Sequence, residues 1–275
     1  MRVRKRYLPP GWYPGAEEQI RDAIECMARS FPSVTATAIA GVVPHAGWEF
    51  SGSLALEVLS RISRSMDTMV IIGGHLGPAD GILCAFEDEY ETPLGSIPAD
   101  LELLGQIRAA LPVREDRHAD NPVEVQLPFV RHLFPDVRVL GMRVSPSADA
   151  ARLGAAITKA ALKLGRRVAV VGSTDLTHYG HSYGFAPAGT GPQALRWVRD
   201  VNDRRLIESL LAMDFDDALQ KALRERSACS VGGALAAVSF AQDNGVEQGR
   251  LVRYMTSFDV HPAESFVGYA GILYP

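Results

Sequence analysis

Apolar segments of strand length alternate with segments of helical period along most of this chain, and three of the strands run straight into glycine-containing loops that carry histidine. Residues 37–43, 68–72, 82–86, 137–144 and 167–171 read as strands. Several are apolar throughout rather than at every second position, the pattern of strands buried on both faces. Residues 251–257 and 266–273 read as two closing strands. Helical spacing recurs at 16–31, 53–62, 99–110, 123–134, 148–164, 193–223 and 229–242, with a break near Asp214 and Gly165 as a C-cap. The alternation predicts a single α/β domain over residues 1–275, with a central mainly parallel or mixed sheet flanked by helices. Ligands of such sheets sit where strands end and loops begin.

Three strand ends therefore matter most. They carry Pro44-His45-Ala46-Gly47, then Gly73-Gly74-His75, then Ser173-Thr174-Asp175-Leu176-Thr177-His178 with His181 close behind. Imidazole binds metals and moves protons near neutral pH, although a single histidine after a strand is more often structural. Four of the seven histidines fall in these loops. His132 reads as a helix-surface residue, and His118 and His261 stay open. Asp175 and His178 are three apart; on a helical turn they would share a face and act as a general acid/base pair, against the plainer reading of Asp175 as a helix cap. Cys229 stands at the start of a small-residue helix, where a helix N-terminus would favour the thiolate; a buried inert thiol is the equal alternative. Cys26 and Cys84 read as core. Glu124 is either a dipole-capping residue or a wall of the site.

Charge and cysteine content exclude other classes. Lys+Arg is 28 against Asp+Glu 32, a net charge of -4, so neither a nucleic-acid nor an anionic-membrane partner has electrostatic support. There is no apolar run of spanning length, and the basic first residues lack the apolar stretch of a secretory signal. Three cysteines make no disulfide framework and suit the cytoplasm.

Taken in order, these loops resemble the Memo (mediator of cell motility) family, known in bacteria and archaea as AmmeMemoRadiSam system protein B. The resemblance rests on Gly11-Trp12-Tyr13-Pro14, Pro44-His45-Ala46-Gly47-Trp48 with Ser51-Gly52, Thr92-Pro93-Leu94-Gly95, Glu124-Val125-Gln126-Leu127-Pro128-Phe129, Ser173-Thr174-Asp175-Leu176-Thr177-His178 and Gly268-Tyr269-Ala270. It implies a fold related to the class III extradiol dioxygenases, which are non-haem iron enzymes. It puts metal ligands on His45, His75 and Cys229, and further pocket residues on Asp175 and His178. Asn121 stands where the family has histidine, and the loop before His75 is one residue shorter than usual. The bacterial name implies a functional link to AMMECR-type and radical-SAM proteins.

Three readings of function follow. The first is a metal-dependent, dioxygenase-like redox protein acting on a small molecule or peptide. His45, His75 and Cys229 would hold Fe(II) before Cu or Zn, Asp175 and His178 would orient substrate or move protons, and Gly47, Gly73 and Gly74 would keep the metal accessible. The second is a non-catalytic peptide- or protein-binding module using the same pocket, with Trp12, Tyr13, Trp48 and Tyr179 as aromatic anchors. The third, a hydrolase with Cys229 as nucleophile and His178 as base, lacks the glycine-flanked elbow such nucleophiles use.

Overall fold

The computed structural model describes residues 1–32, 37–118 and 120–275. In chain order the first half contains β1 (Val3–Arg4), α1 (Glu17–Ala28), β2 (Ala40–Val43), α2 (Ser53–Leu59), β3 (Thr68–Gly73), β4 (Ile82–Cys84), β5 (Glu89–Tyr90), β6 (Ile97–Pro98), α3 (Leu101–Ala110) and β7 (Val113–Glu115). The second half contains α4 (Asn121–Glu124), α5 (Leu127–Leu133), β8 (Arg138–Val144), α6 (Ala148–Leu164), β9 (Val168–Ser173), β10 (His178–Tyr179), α7 (Pro192–Trp197), α8 (Asp203–Leu211), α9 (Phe215–Glu225), α10 (Val231–Asp243), β11 (Arg250–Thr256) and β12 (Phe266–Tyr274).

The central sheet runs β10-β12-β2-β9-β3-β8-β4-β7, with β11 paired to β12. Its middle, β2-β9-β3-β8, is parallel, while β12 joins β2 antiparallel and β4 joins β8 antiparallel. The sheet is thus mixed around a parallel centre. Alternate residues feed two cores. Val42, Val70, Ile72 and Val170 face α3, α6 and α8 to α10, while Val43, Met69, Ile71 and Val171 face α1, α2 and α5. This two-sided burial explains why the central strands are apolar throughout.

Helix ends follow local chemistry. Ser147 caps α6 through the Asp149 N–H, and Gly165 closes it in the left-handed conformation at φ 63°. Asp214 caps α9 by accepting from the Asp217 N–H, so the expected break near that residue is a helix start. The segment expected to be one helix over 123–134 is two, α4 and α5. Pro128 sits in the first turn of α5 and disfavours a continuous helix through the residues before it. Residues 174–177 are not a helical turn; the chain runs extended from β9 into β10, which pairs with β12.

One contact places the site. Gly172 of β9 and Gly232 and Gly233 of α10 let helix and sheet meet backbone to backbone. A Cβ on Gly233 would lie 2.1 Å from the Ile72 carbonyl oxygen, and one on Gly172 would lie 2.5 Å from the Gly233 oxygen. The N-terminal end of α10 is thereby pressed against the carboxyl ends of β9 and β3.

Candidate metal centre

β2, β9 and β3 are adjacent and parallel, so the loops that follow them emerge side by side. His45 comes two residues after β2, His75 two after β3 and Asp175 two after β9, while Cys229 arrives from the segment before α10. Ligand atoms of His45, His75 and Cys229 all lie within 4.8 Å of one another. The Cys229 Sγ is 3.2 Å from the His45 Nε2, and the two imidazole rings meet edge to face with centroids 5.2 Å apart. Asp175, His178 and Cys229 form a second triad within the same limit. The five residues singled out from the sequence are therefore brought together; His181 is exposed on the turn after β10 and His132 lies away on α5.

Burial differs within the set. His45 and Asp175 are buried, while His75 is open to solvent. The Asp175 Oδ1 accepts the His45 N–H at 2.7 Å, and its Oδ2 lies 3.9 Å from the His45 Nε2 and 3.8 Å from the His178 Nε2. Desolvation raises the Asp175 pKa to about 6 and pulls that of His45 down to about 3. His178 is lowered as well by its burial. Burial, then the Asp175 carboxylate, push the Cys229 thiol well above its ordinary range. Cys229 also stands ahead of α10 rather than within its first turn, with Ser230 as the N-cap. Proximity to the helix end therefore does not produce a thiolate; a bound cation would have to favour it. The thiol's hydrogen-bond contact is with His45, at 3.2 Å; His178 lies within 4.8 Å of it but makes no hydrogen bond to it among the described residues, so a Cys229–His178 nucleophile–base pair is not formed.

Several assignments change. Gly73 and Gly74 serve packing rather than metal access: a Cβ would lie 2.3 Å from the Pro122 Cβ at Gly73 and 2.7 Å from the Arg143 Cβ at Gly74, whose φ is +108°. Glu124 does not line the metal; from the first turn of α4 it holds the N-terminal strap by accepting from the Tyr7 N–H, the Leu8 N–H and the Tyr13 hydroxyl. Of the four proposed aromatic anchors, Trp12 lines the cavity above the site. Trp48 is stacked on Phe129 and Tyr179 is fully buried.

That cavity, about 460 Å³, is lined by Trp12, Asn121, His178, Tyr183, His261 and Tyr269 among others. Asn121 donates to the His45 carbonyl at 2.9 Å, and His261 pairs with Glu49 at 2.7 Å at the rim. A larger cavity of about 570 Å³ lies under the strap and reaches Asp120 and Arg143 from behind. The smaller one is the candidate site because His45, His75, Asp175 and His178 line it. Sequence reading singled out none of Asp120, Ser173 and Gln126, and left His261 open. Asp120 and Ser173 touch the imidazoles from behind, across gaps of 45 and 128 residues in the chain, and Gln126 donates to the Pro44 carbonyl at 2.8 Å.

Among the described residues no helix is long and apolar enough to cross a membrane. The family model described as "Memo-like protein" matches residues 5–273. A "MEMO1 family protein" of Pyrococcus horikoshii is 32% identical over 254 residues, 86% of this chain and 87% of that one. One from Thermococcus onnurineus is 30% identical over 289 residues, covering 99% of each. An uncharacterized protein from Escherichia coli K12 superposes with a TM-score of 0.54 at 11% identity, over 85% of this chain and 99% of that one, and supports the fold alone. With a match that takes in all six of its loop motifs, the chain belongs to the Memo-like protein family.

Proposed function

We propose that this protein is a metal-dependent, dioxygenase-like redox protein whose centre is His45, His75 and Cys229. The observation that carries the reading is the meeting of three donor atoms within 4.8 Å. Tetrahedral bonds of about 2.0–2.3 Å to one ion put donors roughly 3.3–3.8 Å apart, so the set fits after side-chain adjustments of up to about 1 Å. Two imidazoles and one sulfur suit Fe(II), with Cu or Zn as alternatives. Iron or copper held there would supply one-electron and oxygen chemistry, which zinc would not.

The chain's own residues do the rest. The His178 Nε2 is buried and has no hydrogen-bond partner among the described residues, so it is free for a substrate oxygen in the cavity. Its lowered pKa keeps it neutral at physiological pH, ready to take a proton. Asp175 faces both His178 and His45; its carboxylate would stabilise positive charge on His178 once that proton arrives. Trp12, Tyr183 and Tyr269 give the cavity aromatic walls that suit a flat small molecule or an extended peptide side chain. Three free cysteines support a cytoplasmic site of action, where AMMECR-type and radical-SAM proteins would be functional neighbours.

Metal analysis after anaerobic purification tests the reading. Wild type is expected to hold iron or copper near one equivalent, and His45→Ala and Cys229→Ser to hold little. Equally low metal in all three would end it.

A further inference from the structure

Each imidazole of the centre can present either ring nitrogen, and what decides between them lies behind the rings. Ser173 Oγ has one hydrogen, and the Pro122 carbonyl, which can only accept, takes it at 2.7 Å. Gln126 Nε2 also points at this oxygen, at 3.4 Å. The Ser173 oxygen can therefore only accept from His45 Nδ1, 3.3 Å away. That leaves the Nε2 of His45 bare and directed at Cys229.

His75 is held by a different device. Its Nδ1 lies 2.9 Å from the Asp120 Oδ1. The Asp120 Oδ2 accepts the His75 backbone N–H at 3.1 Å and sits 3.1 Å from the Arg143 Nε. Arg143, itself buried, is braced on its other side by Asp116 at 3.2 Å. A carboxylate held by a guanidinium accepts and does not donate, so the ring must carry its proton on Nδ1.

We infer that Ser173 and the Asp120–Arg143 pair are positioning residues that lock His45 and His75 as Nδ1–H tautomers, so that both offer Nε2 to the same point. This rests on the metal-centre reading for its purpose, but the tautomers themselves are a property of the metal-free protein. Metal-bound histidines elsewhere depend on such partners, whose loss costs about ten- to hundredfold in affinity. Here the two locks are unlike, one a hydroxyl whose hydrogen is already bonded, the other an ion pair.

Asp120→Asn separates positioning from mere packing. It is isosteric, but one carboxylate oxygen becomes an NH2. The Oδ2 side faces the His75 backbone N–H and the Arg143 cation, neither of which can accept, so the new NH2 turns to the Oδ1 side, toward the His75 ring and the Asn121 N–H. Only the ring can adapt, by moving its proton to Nε2, the wrong tautomer for binding; the same substitution beside a catalytic histidine has this effect in serine proteases.

The experiment is nitrogen-15 NMR of histidine-labelled, metal-free protein, followed by cobalt(II) titration. Wild type is expected to show Nδ1–H on both rings. Asp120→Asn should move His75 alone to Nε2–H and weaken cobalt binding about ten- to hundredfold. Ser173→Ala should release His45 alone. Nε2–H on either wild-type ring would overturn the inference, as would Asp120→Asn with an unchanged His75 tautomer and wild-type cobalt affinity. If wild type and His45→Ala take up cobalt equally poorly, the metal reading fails separately, and the wild-type NMR spectrum still decides the tautomers.

Discussion

The Sγ of Cys229 and the Nε2 of His45 lie 3.2 Å apart as a neutral thiol beside a neutral imidazole. His45, its pKa lowered to about 3, is uncharged throughout the physiological range, and the thiol, pushed upward, keeps its proton. A metal ion entering here must displace the thiol proton. Affinity is therefore expected to rise about tenfold per pH unit between roughly pH 7 and 9. Titrations with zinc at three pH values, with proton release followed by an indicator dye, check this. A flat profile would mean that Cys229 is already a thiolate or is not a ligand.

His178 should separate binding from turnover. Its ring is not part of the His45–His75–Cys229 triad, and its Nε2 is unpartnered at the cavity. His178→Asn is expected to leave metal content at the wild-type level and to lower oxygen consumption with catechols by about 10²–10⁴. Unchanged oxygen consumption would remove His178 from the chemistry.

Asp203, which holds Thr177 behind the site, gives a stability signature outside the donor set. It is fully buried, accepts from the Thr177 N–H and hydroxyl and from the Tyr254 hydroxyl, and burial raises its pKa to about 7. The folded state thus binds this proton more tightly than the unfolded chain does. The resulting stabilisation is complete below about pH 4, the ordinary aspartate range, and is lost as pH rises through about 7. Asp203→Asn removes that dependence. Urea unfolding at pH 5 and 8 should show wild type losing a few kcal/mol relative to this variant; parallel curves would count against it.

Glycine substitutions test the helix–sheet contact. Gly233→Ala would drive a methyl into the Ile72 carbonyl, so a loss of about 3 kcal/mol or more is expected, with weakened metal uptake because Cys229 moves with α10. Gly105, on the exposed side of α3, has nothing within 4 Å of an added Cβ. Gly105→Ala should stabilise by about 0.5–1 kcal/mol. Thermal unfolding of both variants decides.

The N-terminal strap depends on Glu124. Removing its carboxylate leaves the Tyr7 and Leu8 N–H groups and the Tyr13 hydroxyl without their acceptor. Glu124→Ala should expose the Arg4–Arg6 stretch to trypsin several-fold faster, without changing the cutting of α6. Equal rates at the strap would show that β1 pairing alone holds it.

What was legible depended on range. α6 could be read to the residue because Ser147 and Gly165 mark its ends through contacts within the helix itself. β1, β5, β6, β7 and β10 are two or three residues long, too short for a period of two to show, and they exist because a distant partner strand is present. The strand-end loops were visible as glycine next to histidine; Cys84 is buried as its strand position implied, Cys26, read as core from helical spacing, is exposed, and the ligand role of Cys229 came from family resemblance. The partners behind the imidazoles were silent. Asp120 reads as an ordinary loop acid and Ser173 as an ordinary small residue until the fold sets them against His75 and His45.

The glycine contact of α10 with β3 and β9 has a consequence for how much change this chain can absorb. The sulfur is located by main chain against main chain, as a mortise is by its tenon, so exchanges of bulky interior side chains elsewhere leave its coordinates alone. Interior side chains of this chain can thus be exchanged without displacing Cys229, provided positions 172, 232 and 233 stay without side chains.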